Sequence, residues 1–369
     1  MINLSRLRQF DWTLFIVMSL LIIFGLVAQY SLSLNVESEG LSSFARQSIF
    51  AGVGFALFFA IAFLDFRLIK SITYLIYFLI VGLLILVLAH GASFRGVRGW
   101  LSFGFFNLQP TELAKLAVII VLAYFWQKAR LPRVHHLLIS LLLVALPAYL
   151  IIRQPDLGSA FIVIILWLGI FLLVQKSKKQ IFALLILLVL VATISWFFFL
   201  EDYQKARILT YIKPQSDPLG RGYQITQSRV AVGSGGFFGR GFGLGPQSQL
   251  RFLPAGKTDF IFAAIAEEFG FIGALLLLGL YAIFLVRLFR ISRVVYDNFG
   301  LILVLGTIIY FFSQILLNVG MNIGLAPVIG IPLPLVSYGG SSMLVSMIML
   351  GLAQSILLHQ PFTKTKNLL

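Results

Sequence analysis

Long apolar runs separated by short polar, basic connections dominate the chain. A helix rises about 1.5 Å per residue and the hydrocarbon core of a bilayer is roughly 30 Å thick, so a span needs about 20 mostly apolar residues. That ruler predicts ten spans: Trp12–Leu34, Gln47–Leu64, Ile72–Ala89, Leu113–Phe125, His136–Ile152, Gly158–Val174, Ile181–Leu200, Phe260–Leu288, Leu301–Met321 and Tyr338–Leu358. The fourth is short, and reaches a spanning length only if its start at Thr111 carries Glu112 and Lys115 into the membrane. No small-residue cleavage site follows the first, which reads as retained and not as a signal peptide. The expected fold is an all-α polytopic membrane protein in one domain over residues 1–369, with a large extracytoplasmic loop at 201–258 between the seventh and eighth of its ten transmembrane helices.

Basic residues are held on the cytoplasmic side in short loops. One set of loops carries Arg6, Arg8, Arg67, Lys70, Lys128, Arg130, Arg133, Lys176, Lys178, Lys179, Arg287, Arg290, Arg293, Lys364 and Lys366; the short loops of the other set offer only Arg46, Arg95, Arg98 and Arg153. Both termini are therefore expected in the cytoplasm, as an even number of spans requires. Composition agrees: 60% apolar residues, 11% charged and a mean hydropathy of +0.99 exclude an ordinary soluble domain and a disordered chain. A net charge of +15 then reads as topogenic and not as a nucleic-acid surface. The chain has no cysteine, which removes disulfides, thiolate metal sites and a thiol nucleophile. His135 and His136 diverge by about 100° on a helix and read as a solvated edge, not as metal ligands.

The outward loop from Glu201 to Thr258 is far longer than an ordinary connection and holds Lys205, Arg207, Lys213, Arg221, Arg229, Arg240, Arg251 and Lys257 against few acids. Exported segments normally avoid that balance, so an anionic ligand such as a lipid phosphate or pyrophosphate is expected. Its glycine-dense stretch, Gly233–Gly245, could bring backbone amides close to phosphate oxygens, or could be a flexible loop whose aromatic residues dip into the interface. Composition favours the second account. Acids are scarce here, and each acid at a membrane edge calls for a reason. Asp259 stands at the outward mouth of the eighth span, where helix capping competes with a chemical role; the arginine-rich loop leading into it favours chemistry. Glu267 and Glu268 lie about two turns deeper and diverge around the helix, so at least one is expected to face the protein interior or a partner.

Glu112 and Lys115, three residues apart, share one helix face and can pair, a pattern more often structural than catalytic. Arg95, Arg98 and Trp100 before them suit interfacial anchoring or contact with a headgroup and sugar, since an indole face stacks on a pyranose. Arg153, Gln154, Pro155 and Asp156 open the sixth span as a capped turn. Gln314, Asn318 and Asn322 form an amide stripe, with Gly320 and Gly324 as a small-residue pair, and interhelical packing accounts for both. The apolar, proline-broken stretch Pro327–Ser342 is expected to re-enter the membrane, because irregular backbone survives at that depth only inside protein or along a cavity.

Taken in order, these residues resemble a known family. Asn318–Ser342, Asn107–Lys115, Arg153–Ser159 and Gly256–Gly270 closely resemble the signatures of the SEDS family, the bacterial RodA/FtsW/SpoVE proteins, and the likeness covers the whole chain. Short termini and the run Pro327–Pro334 are most similar to the elongation member, RodA. The resemblance implies a peptidoglycan glycosyltransferase that polymerises lipid II on the outer face of the cytoplasmic membrane during cell elongation and shape maintenance. It also implies a class B penicillin-binding transpeptidase as partner. By motif, Asp259 matches the family's essential acid, and Trp100, Glu112, Lys115, Arg153 and Asp156 match positions around its central cavity. Family members often carry arginine directly before the tryptophan; here the order is Arg98, Gly99, Trp100. Asp259 is thus the expected base, with pyrophosphate held by cations drawn from Arg98, Lys115, Arg153 and the long loop, and with Mg2+ or Mn2+ as a conceivable helper. The rival is a flippase for a lipid-linked precursor, supported by the polar interior and broken helices but opposed by the lack of a visible inverted repeat.

Overall fold

The computed structural model describes residues 9–34, 43–94, 97–104, 106–128, 134–175, 177–182 and 220–360, with single positions between 183 and 211. Helices α1 (Trp12–Ser31), α2 (Ser43–Phe63), the short α3 (Phe66–Ser71), α4 (Thr73–His90), α5 (Pro110–Trp126), α6 (Val134–Arg153) and α7 (Leu157–Val174) come first. Within the long loop before the eighth expected span lie α8 (Arg221–Ser234) and the single turn α9 (Pro246–Gln249). The chain then forms α10 (Ile261–Val294), α11 (Asn298–Asn322) and α12 (Gly340–Leu358). Nine of the expected spans thus have a helix among the described residues; the seventh, Ile181–Leu200, lies mostly outside them. Eight are long and apolar enough to cross a membrane by length and composition. The ninth, α5, starts at Pro110, so Glu112 and Lys115 do enter the helix, and its 17 residues reach about 25 Å.

One departure from an all-helical chain occurs before α5. Strands β1 (Ala92–Phe94), β2 (Val97–Ser102) and β3 (Asn107–Leu108) make a small antiparallel sheet in the order β1-β2-β3. The alternation is too short to stand out against the surrounding apolar runs.

Helix α5 packs against α4, α6, α7, α11 and α12, and nearly all of its side chains are buried. A helix apolar all round belongs in the centre of a bundle. Around it the outer helices turn apolar faces outward, as Phe78, Leu79, Leu142 and Leu275 do. At one end, Arg287 of α10 donates to both carboxylate oxygens of Asp11, which also caps α1 at Leu14, and Lys70 reaches Asp297, the cap of α11. Two basic residues far apart in the chain, Arg287 and Lys70, are thereby fastened at the same end of the bundle.

The segment between α11 and α12 behaves as its prolines predict. Ile331, Leu333, Leu335, Val336 and Ser337 are buried without belonging to a helix. A Cβ on Gly25, inside α1, would stand 2.6 Å from the Val336 carbonyl oxygen, so glycine is what lets this backbone lie against the helix. Gly25 sits six residues from the end of α1, about 9 Å in, and Tyr281 of α10 donates its hydroxyl to the Pro334 carbonyl at 2.5 Å. The irregular backbone is therefore enclosed by protein at the depth of the spans.

Candidate active site

Asp259 ends the outward loop one residue before Phe260, the N-cap of α10, and Phe260 makes no side-chain cap hydrogen bond. Asp259 is therefore not itself the N-cap residue of α10. Three successive carbonyls fasten this stretch. Lys257 O accepts from Gln29 Nε2 at 2.8 Å and from Tyr338 N at 2.9 Å. Thr258 O accepts from Ser337 Oγ at 2.6 Å, and Asp259 O accepts from Asn318 Nδ2 at 2.9 Å and Asn322 Nδ2 at 3.0 Å. The backbone of Asp259 is therefore gripped by α1, α11 and the re-entrant segment, while its side chain stays half-buried at the mouth of α10. A Cβ on Gly330 would lie 3.7 Å from Asp259 Oδ2, which places the carboxylate against the re-entrant backbone.

Two other predicted motifs meet nearby in the fold. Asp156 caps α7, accepting from Ser159 N at 3.0 Å, and its second oxygen takes Gln109 Nε2 and Thr111 Oγ1 at 3.4 Å each. One residue on from Thr111, Glu112 pairs with Lys115 at 2.6 Å in the interior, and the Tyr310 hydroxyl of α11 approaches Glu112 at 3.4 Å. Both side chains of the pair are at most 3% exposed, so each charge is matched by its neighbour and not by water. Gly158 lies directly under the Ile329 carbonyl, joining the start of α7 to the re-entrant segment that flanks Asp259.

The cations are distributed differently from the expectation that they gather on a leaving group. Arg98 is exposed and donates to Ala89 O at 3.0 Å and Gly91 O at 3.1 Å, satisfying carbonyls at the C-terminal end of α4. Trp100 is half-buried in β2, and Arg153 is exposed at the end of α6. Of the long loop, Arg229 donates to Gly324 O at 2.9 Å; Arg240 and Arg251 are exposed, Arg207 and Lys213 lie outside the described residues, and Arg95 does too. Gly324 falls beyond the end of α11, so the small-residue pair with Gly320 is not a helix-packing motif but a helix terminus.

The glycine-dense stretch has an ordered role that composition did not disclose. Helix α10 breaks at Gly270, where φ is +68°, a left-handed conformation that glycine alone adopts without cost. The broken turn leaves backbone groups unpaired, and the loop supplies them: Arg240 N and Gly241 N donate to Glu267 O and Glu268 O at 2.9 and 3.0 Å, while Phe271 N donates to Gly236 O at 2.9 Å. Gly239 presses so closely on Gly270 that neither has room for a side chain. These amides are committed to α10 and not to a phosphate. Both acids below them are buried. Glu267 accepts from Gln247 N and Ser248 N at 2.8 and 2.9 Å, capping α9, and Glu268 accepts from Ser31 Oγ at 2.6 Å and Gln249 Nε2 at 2.9 Å.

Sequence reasoning assigned Asn318 and Asn322 to packing and gave Gln29, Gln47 and Ser337 no role. Gln47 bridges Ser337 O and Gly339 N on the re-entrant segment. The signal available was the lone amide in each of the first two spans, Gln29 and Gln47, which needs a buried partner. Among the described residues no group of three or more His, Asp or Glu could hold a metal ion. With the oxygens of Glu112, Glu267 and Glu268 engaged as above, these acids do not fit a metal cage built by protein alone.

Known proteins place this arrangement. The FtsW/RodA/SpoVE family, described as cell cycle proteins, matches residues 11–361. The peptidoglycan glycosyltransferase MrdB of Escherichia coli K12 is 41% identical over 286 residues, 77% of each chain. RodA of Treponema pallidum, also named a peptidoglycan glycosyltransferase, is 31% identical over 96% of this chain and 99% of its own. Among solved structures, a chain from a peptidoglycan synthase complex described as coordinating polymerization and crosslinking superposes with a TM-score of 0.82 at 30% identity, covering 95% of this chain and 99% of that one. The rod shape determining protein RodA of Thermus thermophilus gives 0.70 at 28% identity, over 94% and 96%. Matched over nearly its whole length, the chain belongs to the FtsW/RodA/SpoVE family of multi-pass membrane proteins.

Proposed function

We propose that this chain polymerises lipid II into glycan strands, with Asp259 as the general base. The reaction class is that of its relatives, peptidoglycan glycosyl transfer, and their names favour it over movement of a lipid-linked precursor. The carrying observation is Asp259 itself, whose backbone is fixed at 257–259 by five hydrogen-bond donors while the carboxylate stands half-buried at a helix mouth. Rigid placement of a base against the acceptor hydroxyl is the geometry that proton transfer needs.

In this reading Asp259 takes the proton of the C4 hydroxyl on the incoming lipid II. The oxygen attacks C1 of the donor sugar, the C1–O bond to the polyprenyl pyrophosphate breaks, and the electron pair leaves with the pyrophosphate. A single displacement converts an α-linked donor into a β-linked polymer, so no second carboxylate is required as nucleophile. Arg153, exposed at the end of α6, and the loop arginines Arg240 and Arg251 are the cations open to a pyrophosphate, whereas Lys115 acts through the buried pair. Trp100 and Arg98 offer an aromatic face and a positive edge at the same end as Asp156. The outward loop faces the cell exterior and both termini face the cytoplasm, following the distribution of lysine and arginine. Similarity to a chain of a polymerising and crosslinking complex supports a class B penicillin-binding transpeptidase as partner.

Purified chain given lipid II in detergent tests the reaction class, since no second compartment exists there for a transporter to fill. Glycan polymer is expected from wild type and not from Asp259→Asn. Wild-type polymerisation by that variant overturns the base, and no polymer from either protein, with or without the transpeptidase and Mg2+ or Mn2+, overturns the transferase.

A further inference from the structure

We propose that Asn318 and Asn322 are positioning residues for Asp259, and that the outward loop reaches the acid through them. The inference rests on Asp259 being the base. Amides that served packing alone would bridge helix to helix; these converge on one carbonyl outside a helix. Asn318 Nδ2 divides its two protons between Asp259 O at 2.9 Å and Ile331 O at 2.7 Å, tying the acid's backbone to the re-entrant segment. Asn322 Nδ2 donates to Asp259 O at 3.0 Å and to Asn318 O at 2.8 Å, and its Oδ1 accepts from Ala263 N at 3.0 Å. That last amide belongs to the first turn of α10, whose early N–H groups have no partner within the helix. Both asparagines are fully buried, and a buried polar network with its members satisfied holds one geometry.

The far side of Asn322 is held as well. Helix α11 ends there, and its last carbonyls are taken by α8 of the outward loop: Ser228 Oγ donates to Asn322 O at 2.8 Å and Arg229 to Gly324 O at 2.9 Å. A guanidinium at a helix C-terminus also meets the negative end of the macrodipole. The path therefore runs from α8 through the end of α11 to the carbonyl of Asp259. A base misplaced by about 1 Å can cost on the order of a hundredfold in rate, without any change in how the substrate is bound.

The test uses the purified full chain in detergent, with initial rates measured over a range of lipid II concentrations for wild type, Asn318→Leu, Asn322→Leu, Ser228→Ala and Asp259→Asn. Leucine matches asparagine in size and removes the donors. The two asparagine variants are expected to lower kcat roughly tenfold to a hundredfold per folded enzyme, with KM within about twofold of wild type. Ser228→Ala, which touches neither Asp259 nor substrate, is expected to show a smaller loss of the same kind, and carries the test alone if a leucine variant does not fold. Three results overturn the positioning role: wild-type kcat per folded enzyme with only a lowered melting temperature, a raised KM at unchanged kcat, or wild-type kinetics throughout while Asp259→Asn is inactive. An active Asp259→Asn overturns the base assignment and this proposal together.

Discussion

Four of the acids within or beside the spans, Glu112, Glu267, Glu268 and Asp259, are held in two opposite ways. At Glu112, Glu267 and Glu268 the side chain is bound: a lysine ammonium, two loop amides, and a hydroxyl with a glutamine amide take up the carboxylates, all three residues being buried. At Asp259 the main chain is what the fold grips, and the carboxylate stands half-buried beside the re-entrant backbone. Fixing the backbone keeps the side chain of Asp259 in its place. On the proposed mechanism, that difference separates acids that build the site from the acid that acts as base.

The largest test of that division is Asp259→Asn, for which general-base catalysis predicts a fall of about 10²–10⁴ in polymerisation rate at an unchanged melting temperature. A glycan-length gel on protein of matched thermal stability reads it directly. Next comes Lys115→Ala, which strands Glu112 as an uncompensated interior charge and should cost about 3–5 kcal/mol of stability, seen as a lowered melting temperature in detergent. The double change Glu112→Gln with Lys115→Met should recover most of it. If Lys115→Ala keeps its stability and loses only polymerisation, the pair belongs with Asp259 and the division is drawn in the wrong place.

Glu267→Gln is smaller. It gives up one of two charge-assisted bonds to the α9 amides, at about 1.5–3 kcal/mol, and should loosen 236–250 in limited proteolysis before it touches the turnover of the folded fraction. Smallest is Gly236→Ala. There φ is +56° and nothing lies within 4 Å of the new methyl, so only the left-handed backbone is strained, at about 1–2 kcal/mol in the thermal melt. A collapse of activity from this substitution would mean that the glycine stretch does more than seal the break in α10.

Spans were legible because apolar length alone sets them: Leu301–Met321 and Ile72–Ala89 lie within a few residues of α11 and α4. The eighth span is a helix where expected, and the structure adds a break within it. Nothing in an apolar run announces that Gly270 turns left-handed, because the loop that makes the break tolerable lies thirty residues away. Arg98 and the loop cations looked alike as positive charges around a ligand; the fold gives Arg98 to the carbonyls of one helix end and Arg229 to those of another. The amide stripe was seen, but not its object, since spacing shows that three amides share a face and cannot show what that face meets.

The sequence by itself determined that this is a membrane protein and where most of its spans lie, because the cost of burying charge in lipid acts on every residue locally. Tertiary structure alone decided which polar groups are partners. Gln29, Asn318, Asn322 and Ser337 stand 59 to 228 residues along the chain from the carbonyls of 257–259 that they bind, and hydrogen bonds of about 3 Å are too short-ranged to leave a trace in spacing until the helices pack.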